Sequence, residues 1–163
     1  TFLNTSHAQV LIFTGGSSTS GVDMVRKTLA EAQATYLFES VQVRPGHPAL
    51  AARLADGRIV LGLPGNPLAA YTALYSYLPP LLAGMRGLPL PPLDTAEIAQ
   101  DIPALTASSQ QRLIPALVRE CRAHPLPRRA SYMLSGLSKA THLLVADASG
   151  HTAGDRVPLL PVF

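Results

Sequence analysis

The chain has 163 residues, of which 47% are hydrophobic and 14% are charged, and its formal net charge is +3. This composition excludes a disordered tail and a coiled coil, and it allows one domain or two small domains of mixed α/β type. The only cysteine, Cys121, excludes an internal disulfide and a metal site built from several cysteines.

The charge pattern favours neither a nucleic-acid nor a membrane partner. Much of the basic excess comes from arginines without interleaved aromatic residues, which indicates a solvated face: Arg112, Arg119, Arg122, Arg128 and Arg129. The uncharged run 59–85 is long enough to cross a bilayer, but prolines and a glycine interrupt it, so we expect a buried strand, corner and helix. The chain does not open with a signal-peptide pattern, and we expect a cytoplasmic location.

The first half of the chain predicts alternating strands and helices. Residues 10–13, "VLIF", predict a buried strand that stops at "TGG". A helix is predicted from Val22, with Ser20 as its N-cap and Asp23 in its first turn. Residues 36–43, "YLFESVQV", predict the next strand.

Two further strands are predicted at "ALAARL" (49–54) and "RIVLGL" (58–63), joined by a hairpin turn at Asp56-Gly57. The uncharged stretch that follows predicts a buried corner from strand to helix. Asn66 is the expected N-cap and Pro67 the first helical residue. We expect Pro79 and Pro80 to end or kink this helix.

The second half predicts a small β domain behind a stiff connector. "RGLPLPPLD" (86–94) is extended and typical of a segment that separates domains. Five short segments follow, with several prolines and turn signals at 148–150 and 154–155, which predict a β-rich barrel or sandwich. The segments are "AEIAQDI", "RLIPALVREC", "SYMLSGLS", "HLLVAD" and "DRVPLLPVF".

Two glycine-containing loops that launch helices are the candidate anion-binding elements. They are "VLIFTGGSSTSGVD" and "VLGLPGNPLAA". Helix N-termini beyond the carboxyl ends of strands offer amides and a positive dipole, which suit phosphate or another oxyanion. The turn "VRPGHPAL" between them holds Arg44 and His47 as a constrained cation pair for a polyphosphate or molybdate-like ligand. Ordinary turns remain an alternative for all three segments.

Asp23 is the candidate metal ligand, because a carboxylate beside a phosphate loop can hold Mg²⁺; a simple helix-start charge is the alternative. The other carboxylates form no evident acid/base pair, and His7, His124, His142 and His151 lack metal-ligand spacing.

The order "TGG…D", "RPGHP" and "GLPGNP" resembles the C-terminal half of the molybdopterin molybdotransferase family, the MoeA and gephyrin E-domain type. The family pattern is close to S/T-G-G-V-S-x-G-x-x-D, K-P-G-K-P and G-L-P-G-N-P. The stretch "RASYMLSGLSKATHLLVAD" and the following "GHTAGDRVPLLP" are similar to the small β domain of the same family.

The resemblance implies a set of substrate-binding residues, with Asp23 also the catalytic residue near the metal. Arg44 and His47 stand where the two lysines of K-P-G-K-P meet molybdate, so anion binding would depend on pH. In the small domain Ser131 matches a family serine and Arg112 a family arginine. The full set is Thr14, Gly15, Gly16, Ser17, Ser18, Ser20, Asp23, Arg44, Gly46, His47, Pro64, Gly65, Asn66, Pro67, Arg112 and Ser131.

The resemblance also implies the architecture and the reaction. The expected fold is a MogA-like, three-layer molybdopterin-binding α/β domain at 1–87, incomplete at its N-terminus, followed by a β-barrel-like domain at 92–163. The expected activity is insertion of molybdate into adenylylated molybdopterin with release of AMP, assisted by Mg²⁺, in a homodimer. The alternatives are a non-catalytic pterin-nucleotide binding or assembly module and a molybdopterin adenylyltransferase-like protein.

Overall fold

The computed structural model describes residues 2–15, 24–105, 110–126 and 137–162. Its internal contacts divide the chain into two compact units. The first comprises Thr1–Val41 and Gly46–Ala73, and the second comprises Gln42–Pro45 and Leu74–Phe163. The domain bounds 1–87 and 92–163 stay a prediction.

The first unit contains a mixed sheet of four strands. They are β1 (Val10–Thr14), β2 (Thr35–Phe38), β4 (Leu50–Arg53) and β5 (Ile59–Leu63). The spatial order is β1-β5-β4-β2, with β1 and β5 parallel and β4 antiparallel to both of its neighbours. Every residue of β5 is buried, so both faces of the sheet are covered at its centre. The predicted α/β sheet is confirmed.

Two helices cover one face of this sheet. Helix α1 (Phe2–Thr5) contributes Leu3 and helix α2 (Met24–Glu31) contributes Leu29. Both leucines pack in one core cluster with sheet residues of β1, β4 and β5: Leu11, Leu50, Ala52 and Val60. The helix predicted from Val22 is therefore present from Met24, while Ser20 and Asp23 lie outside the described residues.

The predicted hairpin between β4 and β5 is confirmed, and it also anchors α1. Arg58 Nη1 donates to the carbonyl oxygens of Leu3 and Ser6, each at 2.8 Å, so it ties the end of α1 to the turn. The backbone amide of Arg58 lowers the pKa of Asp56, and the Arg58 guanidinium acts in the same direction.

The single strand predicted over residues 36–43 is wrong. The chain instead forms β2 (Thr35–Phe38) and a two-residue strand β3 (Val43–Arg44), and the two lie in different sheets. Between them, the amide of Val41 donates to the carbonyl of His47 at 3.0 Å. This hydrogen bond closes the turn and uses the amide of Val41, which is then unavailable for pairing with another strand. Strand propensity alone does not reveal such a contact.

Helix α3 (Pro67–Met85) begins where predicted but continues past Pro79 and Pro80. The prolines therefore do not end the helix, and the alternative that they kink it stays a prediction. Each proline lacks the amide that would bond four residues back, yet residues 74–82 are half-buried along their length. Packing along the helix outweighs the local cost, and α3 continues to Met85. None of the helices in the described ranges is long and apolar enough to cross a membrane.

Tyr77, in α3, gives a prediction for alkaline stability. Burial raises the pKa of its phenol from 10.0 to about 12. Because this phenol loses its proton at lower pH in the unfolded chain than in the folded protein, rising pH favours unfolding. The free energy of unfolding is therefore unaffected by this group below pH 10 and falls as the pH rises from 10 through 12. We expect Tyr77→Phe to lose less thermal stability than the wild type between pH 9 and pH 11.5, measured by circular dichroism; an equal loss would contradict this.

The second unit is a closed five-stranded barrel. Its strands are β6 (Asp94–Ile98), β7 (Gln111–Arg119), β8 (Arg122–Pro125), β9 (His142–Ala146) and β10 (Arg156–Pro161). The order β7-β8-β6-β10-β9 closes through pairing of β9 with β7, and β3 adds to the edge of β7. Small and branched side chains fill the interior, among them Ile98, Ala116, Leu144, Val157 and Leu159. The prediction of a barrel is confirmed.

A turn over residues 147–155 lines a polar cleft of about 380 Å³ in this unit. Its carboxylates serve the turn itself: Asp155 Oδ2 accepts from the amide of Thr152 at 2.8 Å, and Asp101 Oδ1 accepts from the amide of Ala153 at 2.8 Å. The cleft is therefore the outer face of a tightly bonded turn, since both carboxylates hold backbone amides.

Candidate functional site

The loops that follow β1 and β5 touch each other. The two strands are parallel and in register from Val10↔Ile59 to Thr14↔Leu63, so their carboxyl ends meet at one edge. The amide of Gly15 donates to the carbonyl of Leu63 at 3.1 Å. A side chain at Gly65 would place its Cβ 3.3 Å from the Cα of Gly15. Two of the three predicted loop elements are thus adjacent.

The turn with His47 comes to the same edge by topology. Strand β4 runs antiparallel to β5, and its first residue, Leu50, pairs with Gly62 near the end of β5. The preceding turn, residues 45–48, therefore lies beside the loops that begin at Gly15 and Pro64. The amide of Ala49 donates to the carbonyl of Gly46 at 2.9 Å, which tightens this turn.

One hydrogen bond fixes the form of the His47 ring. His47 is exposed, and its Nδ1 lies 2.6 Å from the carbonyl oxygen of Val41. A carbonyl can only accept, so Nδ1 carries a proton and donates it to this oxygen. Only the protonated ring would offer Nε2–H to an anion.

Asn66 caps α3 as predicted. Its Oδ1 accepts from the amide of Ala69 at 3.1 Å, and its carbonyl accepts from the amide of Ala70 at 2.8 Å. Pro67 occupies the first helical position. The cap uses the side-chain oxygen and leaves Nδ2 without a hydrogen-bond partner among the residues that the structure describes. Asn66 is exposed, so this donor is accessible.

The backbone offers an anion less than the glycine pattern predicts. The amide of Gly15 is committed to Leu63, and the cap takes the amide of Ala69. Pro67 has no amide hydrogen. What the edge presents is the positive end of α3, a 19-residue helix with no acidic residue in its first turn, together with Asn66 Nδ2 and His47.

Arg44 and Arg112 belong to the second unit, where the structure brings them together. They are direct register partners on β3 and β7. Arg44 Nε donates to Gln110 Oε1. Arg112 is 4% exposed, and its Nη2 donates to the carbonyl of Asp147 at 3.2 Å. Sequence reasoning missed this pairing, and no local signal could have found it, because the two strands are far apart in the chain.

The other candidates lie outside the described residues: Gly16, Ser17, Ser18, Ser20, Asp23 and Ser131. Within residues 2–15, 24–105, 110–126 and 137–162, no group of three or more His, Cys, Asp or Glu side chains could hold a metal ion. The assignment of Asp23 as a metal ligand stays a prediction.

Comparison with known proteins identifies the family. A family model described as "Probable molybdopterin binding domain" matches residues 1–84. Among curated relatives, a molybdopterin molybdenumtransferase of Staphylococcus epidermidis is 37% identical over 82 residues, which are 50% of this chain and 19% of the relative. The Synechococcus elongatus protein of that name is 29% identical over 143 residues, which are 86% of this chain and 34% of the relative.

A solved structure shares the fold over nearly the whole chain. The molybdopterin biosynthesis moeA protein from Pyrococcus horikosii aligns with this chain with a TM-score of 0.75 and 18% sequence identity. The alignment covers 98% of this chain and 38% of the Pyrococcus chain. The α/β sheet joined to a small barrel is thus the architecture of both proteins. The chain belongs to the molybdopterin-binding family and corresponds to a region of the MoeA-type molybdopterin molybdenumtransferases, a family of molybdenum cofactor biosynthesis. It spans 19% to 34% of the length of the two curated relatives.

Proposed function

We propose that this chain binds the phosphate-bearing part of adenylylated molybdopterin at the edge formed by the ends of β1 and β5. As part of a molybdopterin molybdotransferase, it would take part in inserting molybdate with release of AMP. The observation that carries the proposal is the contact of the Gly15 and Gly65 loops beside the capped start of α3. Membership of the molybdopterin-binding family supports the same ligand.

The edge of the sheet can attract an anion although its favourable charge is only partial. The α3 dipole concentrates about half a positive charge at its N-terminus. Asn66 Nδ2 adds a neutral donor, and the uncharged strand behind it excludes water from the base of the site. These residues would bind and orient the ligand; positioning is the contribution that this chain's own groups can make.

Magnesium would supply shielding of phosphate charge when bound. Asp23, the residue proposed to hold it, lies outside the described residues, and the chemistry proposed for the described residues is binding and positioning. Asp23 as metal ligand, a homodimeric assembly and a cytoplasmic location remain part of the proposal.

One observation favours the alternative of a binding module without turnover. Where the family pattern has the second lysine of K-P-G-K-P, this chain has His47, whose Nδ1 donates to the carbonyl oxygen of Val41. An imidazole attracts the oxygen atoms of molybdate as a full cation only when it is protonated, whereas the ammonium group of a lysine is charged across the neutral pH range. The two functions separate by titration with adenylylated molybdopterin, with and without molybdate and Mg²⁺: the enzyme releases AMP, and the module binds without release.

A matched pair of glycine variants tests the location of the site. Gly15 has φ of +81° and Gly57 has φ of +89°, at opposite ends of the sheet in the first unit. Alanine costs comparable backbone strain at both positions, about 1–2 kcal/mol. We expect Gly15→Ala to weaken binding of adenylylated molybdopterin at least about tenfold, because the strained loop shifts against Gly65.

Gly57→Ala is the control, since it lies in the hairpin turn away from the proposed edge and its Cβ meets no atom within 4 Å. It should lose similar stability and keep full affinity. Binding is measured by calorimetry below the unfolding temperature of both variants. Equal affinity of the two variants would mean that the ligand does not use the Gly15 edge.

A further inference from the structure

The connector after α3 starts from a rigid helix end. The amide of Gly87 donates to the carbonyl of Gly84 at 3.1 Å, and the amide of Leu88 donates to the carbonyl of Ala83 at 2.9 Å. With Gly87 at φ of +68°, this is a Schellman motif, which stops the helix after Arg86. The chain therefore leaves α3 in a fixed direction at Leu88.

The residues that follow have almost no conformational freedom. Each residue from 88 to 92 is a proline, whose φ is fixed near the polyproline II value, or directly precedes one, which disfavours the helical region. Residues 89–93 make no backbone hydrogen bond to another described residue. The connector ends at Asp94, where β6 pairs with β10. It is a short, taut polyproline segment anchored at both ends.

This segment exposes apolar side chains that a folded chain ordinarily covers. Leu88 is 56% exposed, Leu90 is 74% exposed and Leu93 is 49% exposed. Three residues complete each turn of a polyproline II helix, so Leu90 and Leu93 share one edge, and Pro89 and Pro92 share another. A basic residue, Arg86, stands three positions before Pro89 and completes the spacing R-x-x-P-x-x-P.

Another P-x-x-P spacing in the chain shows why exposure matters. Residues 158–161 have the same proline spacing, but they lie inside β10, paired with β6 on one side and β9 on the other. Leu159 between them is buried in the barrel core. The backbone of that segment is hydrogen-bonded in the sheet and unavailable to a partner, whereas residues 88–92 do not belong to a β-strand.

We propose that residues 86–93 are a ligand for a partner protein with an aromatic-lined groove that recognises polyproline II helices. Pro89 and Pro92 would fill the groove with the adjacent leucines, and an acidic group beside it would receive the Arg86 guanidinium. The segment is already extended and rigid, so docking costs little conformational entropy. This interaction is independent of the proposed pterin-nucleotide site.

This chain has no tryptophan, so tryptophan fluorescence in a binding assay comes from the partner alone. The probe is an isolated Src-homology-3 domain that has a tryptophan in its groove and selects R-x-x-P-x-x-P ligands. Titration of the probe with the whole chain should give a saturable change in tryptophan fluorescence. Combined Pro89→Ala and Pro92→Ala substitutions should weaken binding at least about tenfold, and so should Arg86→Gln, which removes the charged donor.

Pro158→Ala is the matched control, because it removes an exposed proline from the other P-x-x-P spacing. It should bind as the wild type does, and circular dichroism verifies that all variants are folded. No saturable change with the wild type, or equal affinity of the double variant, would overturn the proposal. Self-association of the wild type that the double variant lacks would also overturn it, by assigning the segment to a second copy of the chain.

Discussion

Replacement of Gly150 by alanine is expected to lower the free energy of unfolding of the second unit by about 3 kcal/mol or more. The added Cβ would lie 2.5 Å from the carbonyl oxygen of Ile102 and 2.7 Å from the amide nitrogen of Ala104. Both are backbone atoms, so no side-chain rotation relieves the overlap. Gly150 also has φ of +83°, which strains any residue with a Cβ.

The overlap would break a specific contact between two segments of the barrel. Ile102 and His151 form a bridge with N···O distances of 2.8 and 2.9 Å, directly beside Gly150. Alanine at 150 forces these segments apart and exposes the end of the core next to Ile102. Urea unfolding followed by far-ultraviolet circular dichroism measures the loss.

Gly154→Ala separates overlap from backbone strain. Gly154 lies in the same turn with φ of +94°, but a Cβ there meets no atom within 4 Å. It should cost only the strain, about 1–2 kcal/mol. If the two variants lose equal stability, the close approach of Gly150 to Ile102 has no energetic consequence and the packing of this turn is not as described.

The sequence predicted those elements whose signals are local. The "VLIF" strand, the Asp56-Gly57 hairpin and the Asn66-Pro67 helix start each depend on neighbouring residues, and each is present. The turn at Gly150 was also indicated, but its importance was not. The contact that makes Gly150 necessary comes from Ile102, which lies far away in the chain.

Errors occurred where distant contacts override local preference. The strand predicted at 36–43 divides, because Val41 bonds the His47 turn and Val43–Arg44 joins the edge of β7. Helix α3 continues through Pro79 and Pro80, because half-buried residues hold it on both sides of them. Neither outcome has a signature in the local sequence.

For the candidate site, glycine patterns predicted where the loops meet but overstated what their amides can do. The Gly15 and Gly65 loops are in contact, as two parallel strands require. The amide of Gly15, however, is used to join the loops. Hydrogen-bond partners depend on register, which the sequence does not specify. At this edge, the exposed side chain of Asn66 combines a structural bond at Oδ1 with a donor at Nδ2 that has no partner among the described residues.

Asn66→Asp is expected to weaken binding of adenylylated molybdopterin by about a hundredfold or more, because a carboxylate would face the ligand's phosphate groups. The same substitution should leave thermal stability unchanged or slightly raised. Aspartate caps helices as well as asparagine does, its Oδ1 can accept from Ala69, and its charge suits the α3 dipole. Calorimetric titration and thermal unfolding measure the two effects on one sample.

Asn66→Ala provides the opposite combination. It removes the cap, at a cost of about 1 kcal/mol, but introduces no charge, so its loss of affinity should be much smaller than that of the aspartate variant. A structural role alone predicts that alanine is the more damaging change in both assays. An anion at the start of α3 predicts that aspartate is the more damaging in binding and the less damaging in stability. If Asn66→Asp binds with unchanged affinity, the phosphate groups of the ligand do not lie at this edge of the sheet.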